Sequence, residues 1–241
     1  MTSVQLFVTC LVDSFFPKTG QAVVDVFSRL GIRVDFAREQ TCCGQPQFNA
    51  GLRKDARAMA EHTIKVFERT TEDIVTPSGS CAHMFRHNYL ELFEGDSTWH
   101  PRAKSLAART YEFTEYLVDR LGVTDLGAKW DGALTYHPSC HSLRGINVDI
   151  QPRALLANVK GATLVELLHA EECCGFGGIM SVEHPELSAE WLKRKISNLE
   201  TTQSPTLVVT DAGCLMHIAG GLQRASKPQR VIHIAEILAH Q

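Results

Sequence analysis

Eight cysteines set the strongest constraint on this 241-residue chain, because they occur as one spacing written twice. Cys10, Cys42, Cys43 and Cys81 are separated by 31, 0 and 37 residues; Cys140, Cys173, Cys174 and Cys214 by 32, 0 and 39. The surroundings repeat as well: CCGQ answers to CCGF, TPSGSC to TDAGC, and YEFTEYL (Tyr111 to Leu117) to IHIAEIL (Ile232 to Leu238). An internal repeat of this kind is the signature of a duplicated structural unit.

Each copy reads as alternating strand and helix. In the first, Val23, Val24, Phe27 and Leu30 have helical spacing, Gly31 stops the helix, and IRVDF alternates as a strand. In the second, Pro152 suits a first helical turn, Leu155, Leu156 and Val159 form the stripe, Gly161 stops it, and ATLVEL is the strand. Short apolar runs, DIVT and TLVVT, precede Cys81 and Cys214 and suit buried parallel strands. The expected fold is α/β: two similar lobes, residues 1–127 and 128–241, each a small, mainly parallel sheet with flanking helices. Residues 94–109 read as an irregular connection. All eight cysteines then fall in loops beyond the carboxyl ends of strands, the edge where open α/β sheets bind ligands.

A composition with 44% apolar residues supplies a core without disulfide staples, so cysteine is not needed for stability. A vicinal Cys42–Cys43 disulfide would close a strained ring. The formal charge of −3, with scattered basic residues, excludes a phosphate-binding stripe for nucleic acid. No window approaches the roughly 18 apolar residues of a membrane span, and the first residues lack the charge pattern of a signal peptide. The expected compartment is the cytosol, where a set of thiols points to metal or catalysis.

Four thiolates per lobe suit zinc or an iron–sulfur cluster, and Gly44 and Gly175 let the backbone pass close to an inorganic group. Adjacent ligands are uncommon in zinc sites, which favour a two-to-four-residue spacer, so the spacing favours a cluster. The ligand candidates are Cys10, Cys42, Cys43 and Cys81 in one lobe and Cys140, Cys173, Cys174 and Cys214 in the other. His137, His141 and Arg144 around Cys140, and His217 after Cys214, have no counterparts near Cys10; a hydrogen-bonding role is the simpler reading for each histidine. GFGG (Gly175 to Gly178) lacks the G-x-G-x-x-G spacing of a dinucleotide loop and is assigned to close approach of a cluster.

The doubled pattern of Cys, Cys-Cys-Gly, Cys, with the phrases SGSCAHMFRHNY, YHPSCHSLR, CCGFGG and TDAGCLMHI, resembles the cysteine-rich CCG-domain family. That family includes the B subunit of heterodisulfide reductase and the iron–sulfur subunit of glycolate oxidase. The resemblance covers nearly the whole chain. It implies an iron–sulfur electron-transfer subunit, with 4Fe-4S clusters, of a cytosolic complex that oxidises L-lactate to pyruvate. The partners it implies are the other subunits of that complex, and activity only within it. The chain departs from the fuller family motif at Met84 and His217, where that motif places a further cysteine. The rival readings are a zinc-stabilised, non-redox scaffold subunit and a metal-free thiol–disulfide oxidoreductase. With no phosphate-binding fingerprint for flavin or nicotinamide, the isolated chain is not expected to oxidise lactate.

Overall fold

A computed structural model describes residues 2–241. The first lobe runs β1 (Ser3–Leu6), α1 (Cys10–Phe15), α2 (Pro17–Arg29), β2 (Arg33–Asp35), α3 (Gln45–Asn49), α4 (Arg53–Phe67), β3 (Asp73–Thr76), α5 (Gly79–His83), α6 (Tyr89–Leu92), α7 (Trp99–Ala108), β4 (Thr110–Glu112) and α8 (Phe113–Glu115). The second runs β5 (Lys129–His137), α9 (Ile150–Ala157), β6 (Lys160–Val165), α10 (Met180–Glu183), α11 (Pro185–Thr201), β7 (Thr206–Val209), α12 (Ala212–Arg224), β8 (Arg230–His233) and α13 (Ile234–Ala239). Turns of π-helix occupy Met84–Asn88, Tyr116–Arg120 and His141–Gly145.

Each lobe forms one four-stranded sheet, ordered β2-β1-β3-β4 and β6-β5-β7-β8, with every pairing parallel. The central strands carry short β-branched runs because both their faces are covered; all four residues of β7 are buried. In both sheets the strand order reverses at the first and third strands, β1/β3 and β5/β7. The crevice outside the carboxyl ends of such a pair is the ligand-binding position of open α/β sheets. Cys10 and Cys81 follow one pair, and Cys140 and Cys214 the other.

The lobes exchange helices. From the second, α13 packs on α2 of the first, where Thr19 donates to Glu236 Oε1 at 2.7 Å and the Arg29 guanidinium reaches the last carbonyls of α13. Reciprocally, α9 packs on α8, and Gln151 Nε2 donates to Asp119 at 2.7 Å. One buried cluster draws Val4, Val23 and Phe27 from the first lobe together with Leu134, Leu155 and Ile234 from the second. Burying apolar side chains of this size is worth about 1.5–3 kcal/mol each, so the lobes hold one another in place through a shared core.

Three expectations are corrected. Residues 94–109 are not irregular: α7 forms there because Asp96 Oδ1 accepts from the amides of Thr98 and Trp99, and Pro101 sits in the first turn, where no amide hydrogen is needed. Gly161 does not stop a helix; α9 ends at Ala157 and Gly161 lies within β6, packed on the Trp130 carbonyl. Nor do all eight cysteines lie in loops. Cys10 begins α1, Cys81 and Cys214 are third residues of α5 and α12, and Cys140 precedes a π-helical turn. The sequence reason is the residue ahead of each helix: Thr9, Ser78 and Asp211 are N-caps whose side chains accept from first-turn amides.

Asp211 also joins the lobes. It is buried and accepts from Ser78 Oγ at 2.9 Å and from the Ser80 amide at 3.1 Å, in addition to Gly213 of its own helix at 2.9 Å. Burial works to raise its pKa, but the bonds from Ser80 and Ser78 outweigh burial and hold the carboxyl below its ordinary value. Asp211→Ala removes a cap and two cross-lobe bonds and is expected to cost about 2–4 kcal/mol in urea unfolding. A loss no larger than that of a surface substitution would show that the lobes do not depend on this carboxylate.

His233 caps α13 through Nδ1, which accepts from Ala235, while Nε2 donates to the Pro77 carbonyl across the interface at 3.1 Å. The bond to Nδ1 requires the neutral ring, because a protonated nitrogen cannot accept, and burial lowers its pKa to about 4. In the unfolded chain the ring gains its proton near pH 6.5, before the folded one does, so stability is complete above that pH and falls as the pH drops towards 4. The contribution is up to about 3 kcal/mol. His233→Asn, which keeps a cap but cannot titrate, is expected to flatten this acid limb in denaturation midpoints measured from pH 7.5 to 4.5.

Candidate metal centre

The first lobe's sulfurs lie in a row. Cys10 Sγ is 3.6 Å from Cys42 Sγ, and Cys81 Sγ is 3.4 Å from Cys43 Sγ. In the second lobe Cys174 Sγ and Cys214 Sγ are 3.4 Å apart, and Cys140 and Cys173 line the same cavity. All eight cysteines are free. These separations far exceed the S–S bond of about 2.05 Å and approach the edge of a metal–thiolate tetrahedron, about 3.8 Å for ligands 2.3 Å from one metal.

Gly44 and Gly175 make the row possible. Their φ values of 85° and 95° lie in the left-handed region, where a side chain is disfavoured, and a Cβ on Gly175 would come 2.5 Å from the Ser188 carbonyl oxygen. The sharp turn lets adjacent cysteines face one site, and the Gly175 amide donates to Cys173 Sγ at 3.3 Å.

Ionisation is divided in the same way in both lobes. The first cysteine of each pair is the thiolate: hydrogen bonds from Cys10 and Cys43 lower Cys42 to about 3, and bonds from Cys140 and Cys174 lower Cys173 to about 2. The donors are pushed up: Cys10 chiefly by its bond to Cys42, Cys140 by its bond to Cys173, and Cys43 and Cys174 by their neighbouring sulfurs and by burial. Each lobe therefore holds one anion ready for a cation, with further thiols that lose protons as metal binds.

The two sets share one cleft. A cavity of about 410 Å³ is lined by all eight cysteines, with Gln45, Ser78, His141, Phe176 and Asp211 among its other walls. The GFGG segment forms part of that wall: Phe176 lies over Gly213, where a Cβ would meet its ring at 2.7 Å. Within each lobe the cysteines come together as the spacing implied. That both sets open onto one space was not implied by it.

The histidines divide. His141 sits between the lobes, with Nδ1 3.6 Å from Cys140 Sγ, Nε2 3.4 Å from Gln45 Nε2 and its ring 5.2 Å from that of His83. His83 is lowered to about 4, first by burial and then by His141. His217 Nε2 is 3.3 Å from the Ser188 hydroxyl. Arg144 is spent on the Glu171 carbonyl at 2.8 Å. Met84 is buried in the first lobe's apolar cluster. His137 differs from the other histidines: a nitrogen of its ring and the sulfurs of Cys174 and Cys214 all lie within 4.8 Å of one another, and its Nε2 is buried without a hydrogen-bond partner.

The surroundings of the two sets are unequal. Beside the second, Lys195 is fully buried and donates to the carbonyls of His169 at 3.0 Å and Ala170 at 3.2 Å. Burial lowers its pKa, while Glu172, Cys174 and Glu171 favour its charged form. Burial, followed by Lys195, lowers His137 to about 3. The first set has apolar neighbours, with Phe7 where the second has His137 and Tyr89 bonded to the Cys43 carbonyl at 2.9 Å. The Phe7/His137 exchange is visible when the repeats are aligned on Cys10 and Cys140. Lys195 gave no such signal, because a lysine in an amphipathic helix reads as a solvated face.

Residues 4–86 and 134–219 match the CCG cysteine-rich domain family. The chain belongs to this family. It is 47% identical over 239 residues to lactate utilization protein A of Anoxybacillus flavithermus, a match covering 99% of this chain and 100% of that protein. It is 46% identical to lactate utilization protein A of Exiguobacterium sp., with 99% and 97% covered, and 45% identical to lactate utilization protein A 2 of Bacillus cereus, with 98% and 97% covered. Among the described residues, no helix is long and apolar enough to cross a membrane.

The division of charge gives a test on metal-free, reduced protein. At pH 6, iodoacetamide is expected to modify half-buried Cys42 before exposed Cys10, because the thiolate and not the thiol attacks. Peptide mapping after partial alkylation reads the order; Cys10 reacting first would mean that exposure, not ionisation, governs the site.

Proposed function

We propose that each lobe binds an iron–sulfur cluster, through Cys10, Cys42, Cys43 and Cys81 in the first and Cys140, Cys173, Cys174 and Cys214 in the second. The chain then serves as an electron-transfer subunit of a complex that oxidises L-lactate to pyruvate. The observation that carries this reading is the gathering of eight thiols, four from each sheet edge, around one cleft. The donor set fits: it is all sulfur, with one thiolate in each row and glycine beside it. The names of the relatives support the lactate assignment.

The group supplies one-electron redox chemistry when bound. The chain's own residues hold it and set its surroundings. Cys43, Cys81, Cys174 and Cys214 are buried and close the inner side of each site to water, while Cys10 and the half-buried Cys42, Cys140 and Cys173 face the shared cleft. Phe176 and Ile179 add apolar wall, and the Gly175 amide adds a hydrogen bond to sulfur, both of which tune a potential. The four-cysteine count of each lobe supports a 4Fe-4S centre. The partners are the other subunits of the lactate-oxidising complex, and the compartment is the cytosol.

Anaerobically prepared protein is expected to be brown, with absorbance near roughly 400 nm and iron and sulfide in comparable amounts. Cys43→Ser should remove about half the iron and leave the second lobe's spectrum in place, because ligands lost locally leave a separate centre intact. Pyruvate should form from L-lactate only when the partner subunits are added. Stoichiometric zinc with no iron after attempted cluster loading would favour the scaffold reading, and turnover without metal the thiol–disulfide one.

A further inference from the structure

We infer that His137 is a nitrogen ligand of the second lobe's centre, taking one of the four ligand places assigned above to cysteine and giving the two lobes chemically different metal sites: sulfur only in the first, sulfur and imidazole in the second. This rests on the reading that the second lobe binds metal.

His137 ends β5, and its side chain is buried against Cys174 and Cys214, with a ring nitrogen and both sulfurs within 4.8 Å of one another. Its Nδ1 lies 3.3 Å from the Ala170 carbonyl oxygen. A carbonyl only accepts, so Nδ1 carries the ring hydrogen and Nε2 presents a lone pair. The Lys195 ammonium donates to the same carbonyl and opposes a second proton on the ring. Nε2 therefore stands as a bare acceptor in a buried place with no hydrogen-bond partner. Leaving a buried acceptor unpaired is unfavourable, and a metal ion satisfies it. The arrangement is that of metal-binding histidines in general: one nitrogen on the metal, the other fixed by a backbone carbonyl that sets the tautomer.

The duplication shows that folding does not call for this imidazole. Three residues before Cys10, the matching position is Phe7, fully buried and packed edge-on against Phe85 at 4.8 Å. A flat apolar ring serves there, so a polar ring with a nitrogen within 4.8 Å of two sulfurs in the second lobe has a purpose other than filling space.

The test uses full-length protein loaded anaerobically and carrying histidine labelled with ¹⁵N in the ring. Pulsed paramagnetic resonance of the reduced protein and X-ray absorption at the edge of the bound metal are both expected to report a directly bound imidazole. The signal should be lost in His137→Phe, which copies the first lobe, and retained in His141→Asn. Metal bound with no imidazole signal, or a signal that survives His137→Phe, overturns the assignment. Should His137→Phe fail to load metal, His141→Asn and His217→Gln decide: a signal unchanged in both supports His137, and its loss in either overturns it. Absence of metal in the wild-type protein overturns the metal reading itself, and this ligand with it.

Discussion

The carboxylate of Asp211 ties together the two helices that deliver Cys81 and Cys214. It caps α12 in its own lobe and accepts from Ser78 and Ser80, where the other lobe's α5 begins. Ser78 is the matching cap in the repeat, so the two halves meet at the N-termini of equivalent helices. Helix N-termini carry partial positive charge, which suits a carboxylate there and, in the first turn, sulfur that becomes anionic. The join between lobes and the placement of the inner cysteines are thus one arrangement.

The reciprocal packing of α13 on α2 and of α9 on α8 follows from the same two-fold relation and supplies the apolar area that the polar join cannot. Each small parallel sheet needs helices on both faces, and each borrows some of that cover from its partner. The cleft between the sets is a consequence of this symmetry: the two switch-point crevices are turned towards one another, and eight sulfurs surround a single space.

Symmetry of the backbone does not extend to the chemistry around the thiols. Phe7 and Tyr89 make the first site's neighbourhood apolar and neutral, whereas His137 and Lys195 bring an imidazole and a buried cation to the second. Lys195 and the sulfurs of Cys174 and Cys214 favour one another's charged forms, an interaction the apolar neighbours of the first set do not offer. One fold copied twice supplies two similar cradles, and a few substitutions distinguish them.

Much of this was legible in the chain alone. The doubled cysteine spacing, the glycine after each vicinal pair and the strand-like runs DIVT and TLVVT specified two parallel α/β units with sulfur at the strand ends, because period and turn residues are local properties. Local reading erred where a distant or upstream group acts: Asp96 accepts from the Thr98 and Trp99 amides at the start of α7, ahead of Pro101, and Gly161 sits in a strand against the Trp130 carbonyl rather than ending a helix. The meeting of the two sets across one cleft, the cross-lobe bond from Ser78 to Asp211, the burial of Lys195 and the unpartnered nitrogen of His137 belong to the tertiary structure. Each depends on residues brought together over more than twenty-five positions of sequence, and no local period or spacing encodes which of them will touch.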